Sequence, residues 1–351
     1  MKRICIIGDV HLANHRRFGG KSNSFGCNER ATQIIASINT AVSYARDDYD
    51  GELDVIFAGD FFDSLRPEPH LIDLAVSALM THEEVNYHFL LGNHEYSAAA
   101  PESHAIGVLR SNPSCSVYLD ATKVGDVLFI PFTPNFTEEK LRLTLNAVSG
   151  IKIVVSHFGI IGGSTPPWLR EQAGAFESRL LEELCDTHGI QRWYSGDWHS
   201  FHQHSKRICQ IGALTPTGFD NPGFDYGRIA IYSGGKSTIA TIPGPRFVVV
   251  DSLAQHADLV RTNPESAPLY CRMTVGTSEL REVTAAVSDN PYIEVLQNVD
   301  EQREATAAAM LATKSATTLA EKLDAFVAKM PLPDNVTREL VLAHAKKYLG
   351  V

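Results

Sequence analysis

The chain has 351 residues, 44% hydrophobic and 21% charged, with a formal net charge of −10. That is the composition of about two globular domains and excludes a disordered chain. It also excludes a protein that grips nucleic acid by bulk positive charge, although one basic face remains compatible with the acidic total. No apolar run approaches the ~20 residues needed to span a bilayer. The opening segment Met1–Asp9 carries too short an apolar stretch for a signal peptide, so a cytoplasmic location is expected. Six cysteines stand singly with no CxxC pair, which predicts reduced and mostly buried thiols.

Residues 3–8 are β-rich and apolar and predict a buried strand that delivers Gly8-Asp9. Residues 13–27, rich in Gly, Asn and Arg, predict a surface loop. From Asn28, a candidate N-cap, the spacing of Ala31, Ile34, Ile35, Ile38, Ala41 and Val42 is helical. Leu53 to Ala58 is the next strand, closed by Gly59-Asp60; Ile72 to Met80 is helical; Tyr87 to Leu91 is a strand closed by Gly92-Asn93-His94. Leu128 to Pro131 and Ile151 to Ser156 predict strands, the second opening into His157. Leu180 to Thr187 predicts a helix, and Arg192 to Ser195 leads into Gly196-Asp197. Arg228 to Tyr232 and Ser237 to Ile242 flank Ser233-Gly234-Gly235, a hairpin signal. Pro243-Gly244-Pro245 punctuates the chain; beyond it Phe247 to Val250, Leu269 to Val275 and Tyr292 to Val295 are strand-like. Glu301 to Ala328 is Ala-, Leu-, Glu- and Lys-rich and predicts a helix broken by Pro331 and Pro333, with Val336 to Tyr348 a final helix. Strands and helices alternate in the first half and β pairs dominate after about Ile208. This predicts a layered α/β domain with a central sheet pair flanked by helices.

Polar clusters fall at the strand-to-loop junctions, where α/β folds gather ligand sites. Asp9 and His11, two apart at a strand end, point the same way and can grip one ion. Asp60 offers two oxygens and can bridge two cations. Asn93 offers a neutral carbonyl oxygen, and His157, Asp197 and His199 complete the set. Each piece alone also fits an ordinary turn or a structural histidine. In order, each after an apolar strand, they point to a site for two divalent cations about 3.5–4 Å apart, able to clamp both oxygens of an in-line phosphoryl displacement. Mixed oxygen and imidazole donors favour Mn²⁺, Fe²⁺ or Zn²⁺ over Ca²⁺. His70, His82, His88, His188 and His256 lack such context and read as structural. His15-Arg16-Arg17 with Lys21, and Lys206-Arg207, are basic patches that read equally as solvated loops.

The order Asp9-Val10-His11, Gly59-Asp60-Phe61-Phe62-Asp63, Gly92-Asn93-His94-Glu95, His157, Gly196-Asp197-Trp198-His199 resembles the calcineurin-like metallophosphoesterase superfamily over roughly Met1 to Ile242. Within it the chain most resembles the SbcD-like, meiotic-recombination-type DNA repair nucleases, including phage-encoded versions. Four segments carry this finer likeness: Ala58–Pro67, the loop Arg16–Gly20, Ile211–Pro216, and Pro245-Arg246-Phe247. The resemblance implies an α/β/β/α sandwich (residues 1–243, nuclease), a small α+β capping domain facing DNA (244–300) and a C-terminal helical segment (301–351). It implies that Asp9, His11 and His199 hold one metal, that Asp60 bridges, and that Asn93 and His157 hold the other. A metal-activated water would attack the phosphodiester, with His94 stabilising the transition state or protonating the leaving oxygen. Mn²⁺, with Mg²⁺ as a substitute, is the implied metal. Arg16, Arg17, Lys21 and Arg66 are the DNA-contact candidates.

One departure stands out. The family has Gly-His-x-His where this chain has Gly196-Asp197-Trp198-His199. Asp197 is a harder donor than the imidazole it replaces, and it lowers the site's charge by one unit. Two rival readings are a phosphomonoesterase or cyclic-nucleotide phosphodiesterase with the same metals, and a non-catalytic DNA-end scaffold. As partners, the resemblance implies DNA, an SbcC-type coiled-coil ATPase bound through helices around Ala308–Ala328 and Val336–Tyr348, and a second copy of the chain as a homodimer. Host cytoplasm is the expected location for a phage-encoded copy.

Overall fold

A computed structural model describes residues 2–298 and 319–349, apart from 83, 101–103, 164, 166, 171, 173, 220–226, 264–267, 291, 331 and 333–335. Two compact units divide the chain: Met1–Val248 with Asn263–Tyr270, and Val249–Thr262 with Cys271–Val351.

The first unit begins with β1 (Arg3–Ile7), whose alternate side chains enter two different cores. Cys5 and Ile7 face helix α1 (Glu29–Arg46), while Ile4 and Ile6 face a second sheet. The side chain of Asn28 accepts from Ala31 N and so caps α1, as its position predicted. β2 (Leu53–Phe57), α2 (Pro69–Met80) and β3 (Val85–Leu90) follow, and β1, β2 and β3 pair in parallel. β4 (Cys115–Tyr118) extends the sheet in parallel.

The chain then crosses to a second sheet through β5 (Thr122–Val124) and β6 (Val127–Ile130), and continues through α3 (Glu138–Asn146) and β7 (Ile153–His157). The short elements β8 (Ile160–Ile161), α4 (Pro167–Arg170) and β9 (Phe176–Glu177) precede α5 (Ser178–His188), β10 (Arg192–Gly196), β11 (His202–Gln203) and β12 (Ile208–Gln210). β13 (Arg228–Ser233) and β14 (Lys236–Thr241) form the expected hairpin and return to the first sheet beside β1.

The strand orders are β14-β13-β1-β2-β3-β4 and β11-β12-β10-β7-β6-β5. Ile6, Ile56, Phe129, Val155 and Tyr194 fill the space between the sheets. α1 and α2 cover the outer face of the first sheet through Ile34, Ile38 and Leu71, and α3 and α5 cover that of the second through Leu141, Leu145, Leu181 and Leu184. The result is the expected α/β/β/α sandwich.

The second unit holds α6 (Leu253–Thr262) and α7 (Leu280–Ala286), with most of a three-stranded sheet of β15 (Arg246–Val250), β16 (Leu269–Val275) and β17 (Ile293–Gln297). α8 (Leu319–Lys329) and α9 (Arg338–Leu349) follow. The expected helix over Glu301–Ala328 lies outside the described residues up to 318, as do Pro331 and Pro333.

Several elements differ from expectation. The region beyond Ile208 is not dominated by β pairs: α6 and α7 interrupt it, and neither buries a side chain. α3 and β4, for which the sequence predicted nothing, are also present. The segment 13–27 is not wholly a surface loop. Phe18 and Cys27 are buried, and Phe18 joins Phe219, Phe247 and Tyr270 in an aromatic cluster with ring centroids 5.7, 5.7 and 5.1 Å away.

Candidate metal centre

The polar clusters meet at the carboxyl ends of β1, β2, β3, β7 and β10. Parallel pairing puts all these ends on one edge of the sandwich, so residues far apart in the chain converge there. The junction loops are tied together through the backbone. The Asp60 carbonyl accepts both Val10 N (3.0 Å) and His11 N (2.9 Å), and the Asp9 carbonyl accepts Leu214 N (2.9 Å). His11, Asp60 and Asp197 hold φ values of 51°, 46° and 85°, in the left-handed region where Asp and His are tolerated better than most residues. Phe61 and Phe62, both buried, anchor the loop behind Asp60; Phe61 packs edge-on against Phe57 (5.0 Å) and Phe89 (5.1 Å).

Asp60 lies at the centre. Its Oδ2 sits 3.8 Å from His11 Nε2 and 3.6 Å from His157 Nε2, and its Oδ1 accepts His94 N at 3.0 Å. Three groups of donor atoms interlock, each with its atoms within 4.8 Å of one another: Asp9–His11–His199, His11–Asp60–His94 and Asp9–Asp60–His157. Donors bound at about 2.1 Å around one cation stand about 3–3.5 Å apart, a contraction of a few tenths of an ångström from the 3.6 and 3.8 Å around Asp60.

The proton arrangement points the same way. His157 Nδ1 donates to the Ala58 carbonyl at 2.6 Å, which turns Nε2 toward Asn93 Oδ1 at 2.9 Å. His11 Nδ1 donates to Asp63 Oδ1 at 2.9 Å, which turns its Nε2 toward His199 Nε2 at 2.9 Å. In the first pair two acceptor atoms face each other and need a proton or a cation between them, and in the second two ring nitrogens converge at the distance two ligands of one cation would share. Asp9 and Asp60 are buried together at 0% and 1% exposure, a concentration of negative charge that a cation would compensate. The donor set therefore fits divalent metal.

A family model described as calcineurin-like phosphoesterase matches residues 2–201, more than half of the chain. The chain belongs to the calcineurin-like phosphoesterase family. Members use divalent metals to hydrolyse phosphoesters, and this chain carries an Asp/His cluster able to hold them. No curated protein matches it in sequence. Among solved structures, one crystal structure aligns with a TM-score of 0.39 and 10% identity, covering 68% of this chain and 98% of that one.

Charge in this calcineurin-like phosphoesterase site is strongly perturbed. Burial pushes the Asp197 carboxyl up to about 6, with Asp9 and Asp60 adding to the rise and His157 opposing it. Burial likewise opposes the charge of Asp60, yet His157 and His11 outweigh it and hold its pKa down to about 2. The Asp63 hydrogen bond raises His94 to about 9 against its burial.

The structure brings together all eight of Asp9, His11, Asp60, Asn93, His94, His157, Asp197 and His199. Asp197 presents Oδ1 3.9 Å from His157 Nε2. Arg16, Arg17, Lys21 and Arg66 are exposed and stand outside this cluster.

Two carboxylates that the sequence reading left without a role belong to the site. Asp63 accepts from His11 and lies 3.4 Å from His94 Nδ1. Glu95 is fully buried and clamps two junction loops, accepting Phe62 N (2.9 Å) and Gly92 N (3.1 Å). Its burial, with Asp60 nearby, raises its pKa to about 8. The available signal was their place inside the two motifs, Asp63 three residues after Asp60 and Glu95 directly after His94. Gly92 is required by close approach: a Cβ there would stand 2.0 Å from Asp60 Oδ1.

Proposed function

We propose that this phosphoesterase is an SbcD-like nuclease subunit, a two-metal phosphodiesterase acting on DNA ends in recombination and repair. The observation that carries the chemistry is the position of Asp60 Oδ2 between two imidazoles, with His94 bound to the other oxygen of the same carboxylate. Asp9, His11 and His199 would hold one metal and Asn93, His157 and Asp197 the other, with Asp60 shared. Mn²⁺ is the metal proposed, with Mg²⁺ as a substitute. Bound there, the two cations would polarise phosphoryl oxygens and acidify water.

The chain's own contribution centres on His94. Its Nδ1 lies 3.2 Å from the Asp63 carbonyl and 3.4 Å from the Asp63 carboxylate, which leaves Nε2 for the substrate. Held protonated by Asp63, the ring can donate to the non-bridging oxygen in the transition state and pass its proton to the leaving oxygen.

A polyanionic substrate is supported by the loop that follows His11. His15 Nε2 donates back to the His11 carbonyl at 3.0 Å, so exposed Arg16 and Arg17 spring from a segment fastened to a candidate ligand. On a chain of net charge −10, exposed cations on the loop that follows a candidate ligand are a feature a phosphate backbone would use. The proposed partners are a coiled-coil ATPase of the SbcC type, docking on the α8–α9 region, and a second copy of the chain. Exposed Leu340 beside Val341 on α9 is the apolar surface offered to such a helix.

The test is purified protein with Mn²⁺ on end-labelled single- and double-stranded DNA, beside His94→Ala and Arg16→Gln/Arg17→Gln. Cutting that His94→Ala abolishes, and that the double arginine variant weakens on DNA without changing turnover of bis-nitrophenyl phosphate, is the expected result. Turnover of the small ester without any DNA cleavage would replace this reading with a small-substrate phosphodiesterase. Metal binding with no turnover of either would leave a scaffold.

A further inference from the structure

A basic cleft lies at the other end of the second sheet. It has a volume of about 310 Å³ and is lined by Arg192, Tyr194, Gln203, Lys206, Arg207 and Ser237, among others; among the described residues its wall holds three cations and no carboxylate. The topology builds it. β10 and β12 pair in parallel with Trp193 opposite Ile208, so Arg192 and Arg207 stand side by side at the two strand starts, and Trp193 N donates to the Arg207 carbonyl at 2.8 Å. Arg192 begins the strand whose far end delivers Asp197. At about 3.3 Å per residue, the cleft is about 13 Å or more from the metal centre.

The cations are not equally engaged. Arg207 is paired with Asp186 at 2.7 Å and with Glu182. Arg192 gives one N–H to the Gln191 carbonyl (2.7 Å), while its Nε is buried with no hydrogen-bond partner among the described residues. Lys206 is exposed beside it. The Tyr194 hydroxyl donates to Ser237 Oγ at 2.6 Å, which places two further hydroxyls in the wall. A buried guanidinium nitrogen left unsatisfied is costly, and with Arg207 met by Asp186 and Glu182 it is Arg192 and Lys206 whose charge is left to face the cleft, so both features favour an anion there.

We propose that this cleft binds a phosphate group, with Arg192 offering its planar fork and Lys206 a mobile point charge. The volume is at the lower end of the range for small-molecule sites, about 300–1,000 Å³. That suits inorganic phosphate or a mononucleotide and is too small for a duplex. Nothing in this inference depends on the metal centre or on the DNA reading.

Equilibrium dialysis of the full chain loaded with Mn²⁺, at low ionic strength, tests it with radiolabelled inorganic phosphate and adenosine 5′-monophosphate as probes. Wild type is expected to bind one equivalent more than Arg192→Gln/Lys206→Gln, and Lys206→Gln alone to bind that equivalent about tenfold more weakly. Adenosine monophosphate at least tenfold tighter than phosphate would identify a nucleotide site; equal affinities would identify a site for the phosphate group alone. Equal stoichiometry in wild type and double variant, with either probe, overturns the proposal. Should the double variant lose its thermal transition, Lys206→Gln decides alone, because Lys206 is exposed and its removal leaves the core intact.

Discussion

The backbone N–H of Asp197 donates to both carboxylate oxygens of Asp9, at 3.0 and 3.1 Å. The residue that stands where the resemblance led one to expect histidine thus orients one candidate ligand with its main chain while its own carboxylate faces His157. The first function is independent of side-chain identity; only the second changes on substitution.

Asp197→His is therefore expected to keep phosphoesterase activity within about tenfold. The left-handed φ of 85° is open to histidine as well. Metal content measured by mass spectrometry should shift toward softer ions, since imidazole replaces carboxylate. A variant that binds only one equivalent of metal would show that the Asp197 side chain is placed for a different task.

His94→Ala should lower kcat by about 10²- to 10⁴-fold, the usual contribution of a positioned proton donor. Metal content should stay at the wild-type value, because the His94 side chain is not among the proposed ligands. Loss of metal together with rate would make His94 a ligand instead.

Asp63→Asn should move the alkaline limb of the pH–rate profile to lower pH. Asp63 raises His94 from 6.5 to about 9, so the protonated ring persists until pH rises through that value. Without the carboxylate the limb should fall back toward the ordinary imidazole range. An unchanged limb would remove Asp63 from the proton's path.

Gly92→Ala should abolish activity and reduce metal binding even where the protein still folds. The new Cβ would meet Asp60 at 2.0 Å from Oδ1 and 2.2 Å from N, and neither atom can retreat without disturbing the shared carboxylate. Metal stoichiometry beside circular dichroism separates this from global unfolding.

Away from the site, Asp54 gathers Lys2 (2.6 Å), His88 (3.2 Å) and Asn86 (3.2 Å) at a nearly buried position. Burial opposes its charge, but His88 and Lys2 outweigh it and lower its pKa below 3.8. A depressed carboxyl stabilises the fold above its unfolded pKa and loses that contribution as pH falls through the folded value. Asp54→Ala should thus cost about 1–3 kcal/mol at pH 7 and progressively less below about pH 4. Urea unfolding at the two pH values checks this; an equal loss at both would assign the effect to packing.

Much of this molecule was legible in one dimension. Apolar runs such as Arg3–Ile7 and Leu53–Phe57, each closed by a polar cluster, announced both the strands and the ligand order, because a strand buried on both faces must be apolar and its polar residues collect where it ends. Element edges moved by a residue or two: His157 proved to be the last residue of β7, and β3 starts at Val85. α6 and α7, which bury no residue fully, were not foreseen.

What the linear pattern determined by itself was which residue types stand at the strand ends, and hence the chemistry on offer. Only the tertiary structure decided which of them share an ion-sized space, that Asp63 and Glu95 brace the cluster, and that Arg192 and Arg207 stand side by side at the opposite edge. The physical reason is that contact between residues scores apart in sequence is set by strand order and register, and these emerge from packing two sheets face to face rather than from any local pattern.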